Sequence, residues 1–371
     1  MSDLYAIESA DSLPSPSLIL FEDLIDRNIR EMIRIAGSVD RLRPHCKTHK
    51  MPQIVRKLLD HGITRHKCAT LAEAEMLAEA GAADVFLAYN IVGPNIDRVV
   101  AYRKRYPAVR FSVTADDPRP LASLSRRMAE EDLTIEVVMD LDTGLQRTGI
   151  APGKTAVELY EMLSTLPGIE PGGLHWYDGQ YRQTEIAERK SAVKGGRLAL
   201  DQLRDKLLVN GFSIPRIVVG GTGSFPIHAE YSDPQMELSP GTVIFHDAGY
   251  GSIYPDLDFI PAAAVLTRVI SCPTENRVTF DLGSKAIAAD PPAGNRCLFY
   301  ALPGAKEVLQ NEEHLVLETG KPHNLQPGDA QLVFPWHICP TVALHQSATV
   351  VRGGKISDEW LVQARNRVLT I

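Results

Sequence analysis

Several short stretches of this 371-residue chain group side chains that can do chemistry. The densest is His45-Cys46-Lys47-Thr48-His49-Lys50. Neighbouring cations disfavour one another's protonation, and an uncharged amine is the form that condenses with an aldehyde. Lys47 is therefore a candidate for imine chemistry, with a basic loop that binds an anionic substrate as the equal alternative. Gly220-Gly221-Thr222-Gly223-Ser224 is a natural phosphate cradle. Its glycines let backbone N–H groups approach an anion, and Thr222 and Ser224 add hydroxyl donors. A plain glycine turn is the simpler reading. A reactive lysine and a phosphate loop in one chain together point to pyridoxal phosphate.

Three further groups stand out. Arg147 closes the run DLDTGLQRTG, where it either contacts a cofactor or pairs with Asp140 or Asp142. His175 and Tyr177 are two residues apart and would share a face on a continuing strand, with packing as the alternative for each. In FPWHICPT, His337 and Cys339 have the same spacing. On an extended strand they would share a face and grip one divalent cation, against the simpler reading of a buried cysteine beside an ordinary histidine. Two ligands fall short of the usual three of a catalytic site, so water, another side chain or substrate must complete the shell.

The elements that must position these groups follow from periodicity. Strand-like runs alternate with helical ones up to about residue 245, from Ser17–Phe21 and Arg41–Cys46 to Arg216–Val219 and Thr242–Phe245. Leu71–Ala80 shows the i, i+3, i+4 apolar pattern, and Gly62, Gly81 and Gly211 stand where helices stop. Counted from Arg41, eight strands alternate with helices, which predicts a (β/α)8 TIM-type barrel. An open doubly wound sheet is the alternative, but KTHK stands where its glycine fingerprint belongs. In such a barrel the C-terminal strand ends carry the reactive groups, and the stretches above fall there. After residue 250, strand-like runs separated by Pro, Gly and Asn predict a mostly β domain, with a helix only at Asp358–Asn366. The division expected is a barrel over 14–245 and a β domain over 246–371, with residues 1–13 able to join the latter.

Bulk properties narrow the function. A net charge of −7 and a pI near 5.9 argue against nucleic acid or an anionic membrane as partner. No apolar run approaches the roughly 20 residues of a membrane span. The acidic start MSDLYAIESADSLPSPS lacks the order of a secretory signal. Five scattered cysteines, an odd number, suit a reducing cytoplasm better than a disulfide framework.

The motifs PHCKTHK, KCATLAEAEMLAEAG, LAYNIVGP, DTGLQRTG, GGTGS, ELSPGTVIFHDAGY and PWHICPT occur in this order. The chain thereby resembles the D-threonine aldolases and eukaryotic-type D-serine dehydratases, which are alanine-racemase-like pyridoxal-phosphate enzymes of fold type III. The resemblance covers essentially the whole chain. It implies a barrel, a β domain and a homodimer. It also implies Lys47 as the Schiff-base lysine, Arg147 and Tyr177 beside the cofactor ring, and Gly221, Thr222, Gly223 and Ser224 around its phosphate. His337 and Cys339 would hold a divalent metal (Mn, Mg or Zn). Lys47, His175 and Tyr177 are the expected catalytic groups.

Two features depart from the aldolase pattern. Many aldolases resembling this chain carry His-x-Asp where it has Cys339. Some also have a histidine base shortly after the tyrosine, where this chain reads DGQYRQ. The expected activity is cleavage of a D-β-hydroxy-α-amino acid such as D-threonine to glycine and an aldehyde. Dehydration of D-serine or D-3-hydroxyaspartate to a keto acid and ammonia is the alternative. An amino-acid racemase, with Tyr250 or Tyr254 as second base, and a non-catalytic pyridoxal-phosphate-binding protein come lower.

Overall fold

The computed structural model describes residues 3–371, so Met1 and Ser2 of the 1–13 segment lie outside it. Two compact units emerge. One comprises Met32–Lys47, Pro52–Gly241 and Asn366–Ile371, the other the residues up to Glu31, Thr48–Met51 and Thr242–Arg365.

The first unit holds a parallel sheet of seven strands in sequence order. They are Arg65–Cys68, Asp84–Asn90, Arg110–Ala115, Ile135–Asp140, Ile169–Trp176, Ile217–Val219 and Met236–Leu238. Helices such as Leu71–Glu79, Pro118–Glu130 and Ile186–Val209 connect them. The first of these is stopped locally at its start. Thr70 accepts the N–H of Glu73 at 3.1 Å, and the Glu73 carboxylate reaches back to the N–H of Ala69 at 2.7 Å. Inside the ring, Phe86, Val138 and Val218 from alternate strands form one packed cluster.

The expected strand Arg41–Cys46 is not a regular strand. Leu42 bridges Leu238 and His45 bridges Lys67, both in parallel, so this segment fills the eighth place and closes the barrel. Pro44, in its middle, has no N–H to extend the ladder. Arg43 compensates. Its fully buried guanidinium donates to Asp84 at 2.7 and 3.1 Å and to Glu237 at 2.5 Å, tying the segment to strands on both sides. The expected strand Thr242–Phe245 is corrected too: Thr242–Ile244 is a 3-10 turn, and the strand at this place is Met236–Leu238. The architecture is nonetheless the α/β barrel that the alternation predicts.

The second unit is built on a nine-stranded sheet. Ser17–Phe21, which a cut at residue 14 assigns to the barrel, lies inside this sheet. It runs antiparallel to Ala263–Thr274 and parallel to Ser347–Arg352. Val265, Val278, Phe280, Leu315 and Val333 form its core. Tyr5 packs edge-on against Phe334 and donates to the carbonyl of Pro261, so the segment before Pro14 belongs to this unit as well. The expected helix Asp358–Asn366 is instead the edge strand Lys355–Leu361 followed by a 3-10 turn. Among the described residues, no helix is long and apolar enough to cross a membrane.

Candidate functional site

The strand ends of the barrel surround a cavity of about 550 Å³ whose wall includes Lys47, Lys67, Asp140, Arg147, His175 and Tyr177. Tyr177 is its centre. Lys47 Nζ lies 5.6 Å from the Tyr177 ring centroid, Lys67 Nζ 5.9 Å and the Arg147 guanidinium carbon 4.8 Å. Three basic side chains thus meet around one aromatic ring. The structure brings four predicted residues together here: Lys47, Arg147, His175 and Tyr177.

Backbone geometry places Arg147. The loop after Ile135–Asp140 folds back so that Leu141 bridges Ile150. Gly149 makes this possible, with φ +97°, since a Cβ there would stand 2.4 Å from the Leu141 carbonyl carbon. Asp142 accepts the N–H groups of Gly144 and Gln146, at 3.0 and 2.9 Å, and Thr143 donates to the Tyr177 carbonyl at 3.0 Å. Asp142 is therefore spent on the loop backbone. Arg147 lies over Tyr177 instead of pairing with it.

His175 and Asp140 sit opposite each other in adjacent strands, and Nδ1 of the imidazole meets the carboxylate at 2.7 Å. The other ring nitrogen, Nε2, is 3.5 Å from Lys67 Nζ. Burial pulls the His175 imidazole below its ordinary range against the pull of Asp140, so the ring is neutral at pH 7. Burial opposes the Asp140 charge, but the His175 hydrogen bond and other donors hold its carboxyl below the usual range. Lys67 and Asp140 were visible in the sequence only as polar residues at strand ends. Their link through His175 depends on register between strands and has no sequence signature.

Gly221 to Ser224 borders the same ring. A Cβ on Gly221 would stand 3.0 Å from the Tyr177 ring, so glycine is what allows this approach. Thr222 and Gly223 are buried, and none of the described hydrogen bonds takes up their backbone N–H groups. These two donors suit an anion. Ser224 has a different task from the one expected. Its hydroxyl accepts from Gly221 N–H at 3.0 Å and donates to buried Asp178 at 2.5 Å, so it shapes the turn. His228 holds the other Asp178 oxygen at 2.8 Å.

His337 and Cys339 come together, but not on a strand. His337 caps the helix Ile338–Leu344, and Cys339 stands in its first turn. Pro340 is tolerated there because first-turn N–H groups have no helical partner. The charges of the two side chains favour each other. His337 Nδ1 meets Asp290 at 2.5 Å, so Nε2 is the nitrogen that could ligate a cation. Burial opposes the charge on His337, yet Cys339 and Asp290 outweigh it and raise its pKa to about 9. Burial likewise resists the thiolate, while His337, Thr242 and Thr48 hold Cys339 below the usual thiol range. Thr48 and Thr242 hydroxyls lie 3.2 and 3.4 Å from its sulfur. Buried Asp247 accepts the N–H of Ile338 at 3.0 Å and so fixes the residue between the pair. A histidine with a carboxylate behind it and a thiolate beside it is a donor set that fits a borderline cation such as zinc or manganese. A second grouping, His45, Cys46 and Glu73, is already engaged: His45 Nδ1 takes the N–H of Lys47, and Glu73 takes Ala69 N–H.

The alanine racemase N-terminal domain profile matches residues 22–248, and a serine dehydratase domain profile matches residues 262–351. Barrel and pocket thus define an alanine-racemase-like protein, followed in sequence by a dehydratase-type β domain. D-threonine aldolase of Arthrobacter sp is 31% identical over 95% of this chain and 92% of its own length. The 3-hydroxy-D-aspartate aldolase of Paracoccus denitrificans is 28% identical over 98% of this chain and 96% of its own. The crystal structure of D-threonine aldolase from Filomicrobium marinum superposes with a TM-score of 0.90 at 30% identity, covering 98% of this chain and 99% of that one. The chain belongs to the D-threonine aldolase family of alanine-racemase-like enzymes.

Proposed function

We propose that the chain is a pyridoxal-phosphate- and divalent-metal-dependent lyase that cleaves D-β-hydroxy-α-amino acids, D-threonine above all, to glycine and an aldehyde. The observation that carries this reading is the grouping of Lys47 and Arg147 around Tyr177, in one cavity bordered by the Gly221–Ser224 turn. Lys47 is the amine that holds the cofactor through its aldehyde. Tyr177 and Arg147 would lie beside the ring, and the N–H groups of Thr222 and Gly223 would take the phosphate. When bound, the cofactor supplies an electron sink at Cα and the metal a Lewis acid for the β-hydroxyl. His337 and Cys339 hold that metal, with Asp290 orienting the imidazole. We read the protein as a cytoplasmic homodimer: all five cysteines are free, which suits a reducing compartment, and the family resemblance supports the dimer.

Borohydride reduction of the cofactor-loaded protein, followed by peptide mapping, tests the assignment. The expected label is on Lys47; a label on Lys67, or on any other lysine, overturns it. Dehydration to a keto acid and ammonia is the second reading. It is favoured by the dehydratase-type profile over the β domain and by a thiol at position 339.

A further inference from the structure

Lys67 is the residue of the pocket that the cofactor reading leaves without a task. It is 2% exposed, and none of the described ion pairs includes it. A buried ammonium without a carboxylate is costly, and proteins keep such groups chiefly where they act. Its polar contact is the Nε2 atom of His175, at 3.5 Å. Since the ionised Asp140 carboxylate only accepts, Nδ1 of His175 carries the ring proton and Nε2 presents a lone pair to Lys67. An uncharged Lys67 can give one N–H to that lone pair and keep its own lone pair for an incoming proton.

The charged groups around Lys67 agree with an uncharged amine. Lys47, Arg43 and Arg147 oppose a charge there, and only Asp140 favours one, with neutral His175 between. Burial first, and then the Lys47 cation, push the amine well below the ordinary lysine range. Lys67 and Lys47 also line the same cavity, their nitrogens 5.9 and 5.6 Å from the Tyr177 ring centroid.

We propose that Lys67, aimed by the His175–Asp140 pair, is the amine that carries the proton in the cleavage reaction. This rests on the aldolase reading and names a base for it. Retro-aldol cleavage needs a single net proton movement, from the β-hydroxyl to Cα. As the Cα–Cβ bond breaks, its electron pair stays with Cα. The O–H pair becomes the second bond of the aldehyde carbonyl, and the proton passes from oxygen to Lys67 Nζ and on to Cα. No oxidant or reductant enters. Lys67 is the catalytic group; His175 and Asp140 are positioning residues.

Exchange of the glycine α-proton in D2O, followed by proton NMR on the cofactor-loaded enzyme, isolates this transfer from carbon–carbon cleavage. Lys67→Gln should slow exchange by roughly 10²–10⁴-fold, the range of a general acid–base group, while borohydride still traps cofactor on Lys47. Lys67→Arg should fail to restore it, because a guanidinium does not release its proton. A fixed cation or a space-filling stem would be rescued by arginine, so rescue overturns the proposal, as does exchange within about threefold of the parent in Lys67→Gln. A second readout needs no cofactor. The ¹³C-methyl signal of reductively methylated Lys67 should titrate well below the other lysines, and Asp140→Asn should move it. A Lys67 that titrates with the surface lysines contradicts the proposal. Cleavage of D-threonine by the parent chain judges the aldolase reading separately.

Discussion

The barrel pocket and the proposed metal pair of the β unit, His337 and Cys339, are assembled in opposite ways. The pocket draws Lys47, Lys67, Arg147, His175 and Tyr177 from distant points of the chain and lets parallel strand ends bring them together. The pair sits in one turn, with His337 capping a helix and Cys339 inside it. Its supports, Asp290 and Asp247, come from elsewhere in the same unit. A site on strand ends and the loops that follow them is spread over many segments, so each side chain has its own support. A site in one turn depends on that turn and on the groups that orient it.

Four substitutions sharpen this contrast. The largest effect is expected for Lys47→Ala, which should remove borohydride-trappable cofactor and lower turnover by on the order of 10⁴-fold or more. Next is Arg43→Ala at the closure of the barrel. It takes the buried partner from Asp84 and Glu237, leaving them longer ion pairs to Arg110 at 3.8 Å and Arg65 at 3.6 Å, and should cost at most about 3–5 kcal/mol, read as a lower urea midpoint. If the midpoint hardly moves, the eighth segment is not held by Arg43. In the β unit, Asp290→Asn should weaken zinc or manganese affinity by about 10–100-fold in a competition titration, without moving the urea midpoint. Unchanged affinity would mean that His337 needs no orientation. The smallest effect is Arg147→Lys, which keeps the charge but loses the guanidinium whose central carbon lies 4.8 Å from the Tyr177 ring centroid. It should raise the cofactor dissociation constant by an amount corresponding to about 0.5–2 kcal/mol.

The same contrast explains what could be read from the sequence. Strand–helix alternation and the rule that barrel chemistry lies at strand ends singled out Lys47, Arg147, His175 and Tyr177 as candidates, and the family resemblance assigned their expected roles. The closure was harder, because Pro44 breaks the ladder and the last strand, Met236–Leu238, is only three residues long. The chain around His337 carries no period to distinguish a turn of helix from a strand. Lys355–Leu361 misled for a related reason: it is an edge strand in which Trp360 alone is buried, so it shows no apolar alternation. Lys67 was plain as a residue and silent as a function. Its isolation from carboxylates and its contact with His175 exist only once strands Arg65–Cys68 and Ile169–Trp176 are folded into one barrel.

Product analysis tests the central claim most directly. The chain is incubated with pyridoxal phosphate, a manganese salt and D-threonine, and the products are identified by NMR. Glycine and acetaldehyde in equal amounts are the predicted result; 2-oxobutanoate with ammonia, and no glycine, would contradict it.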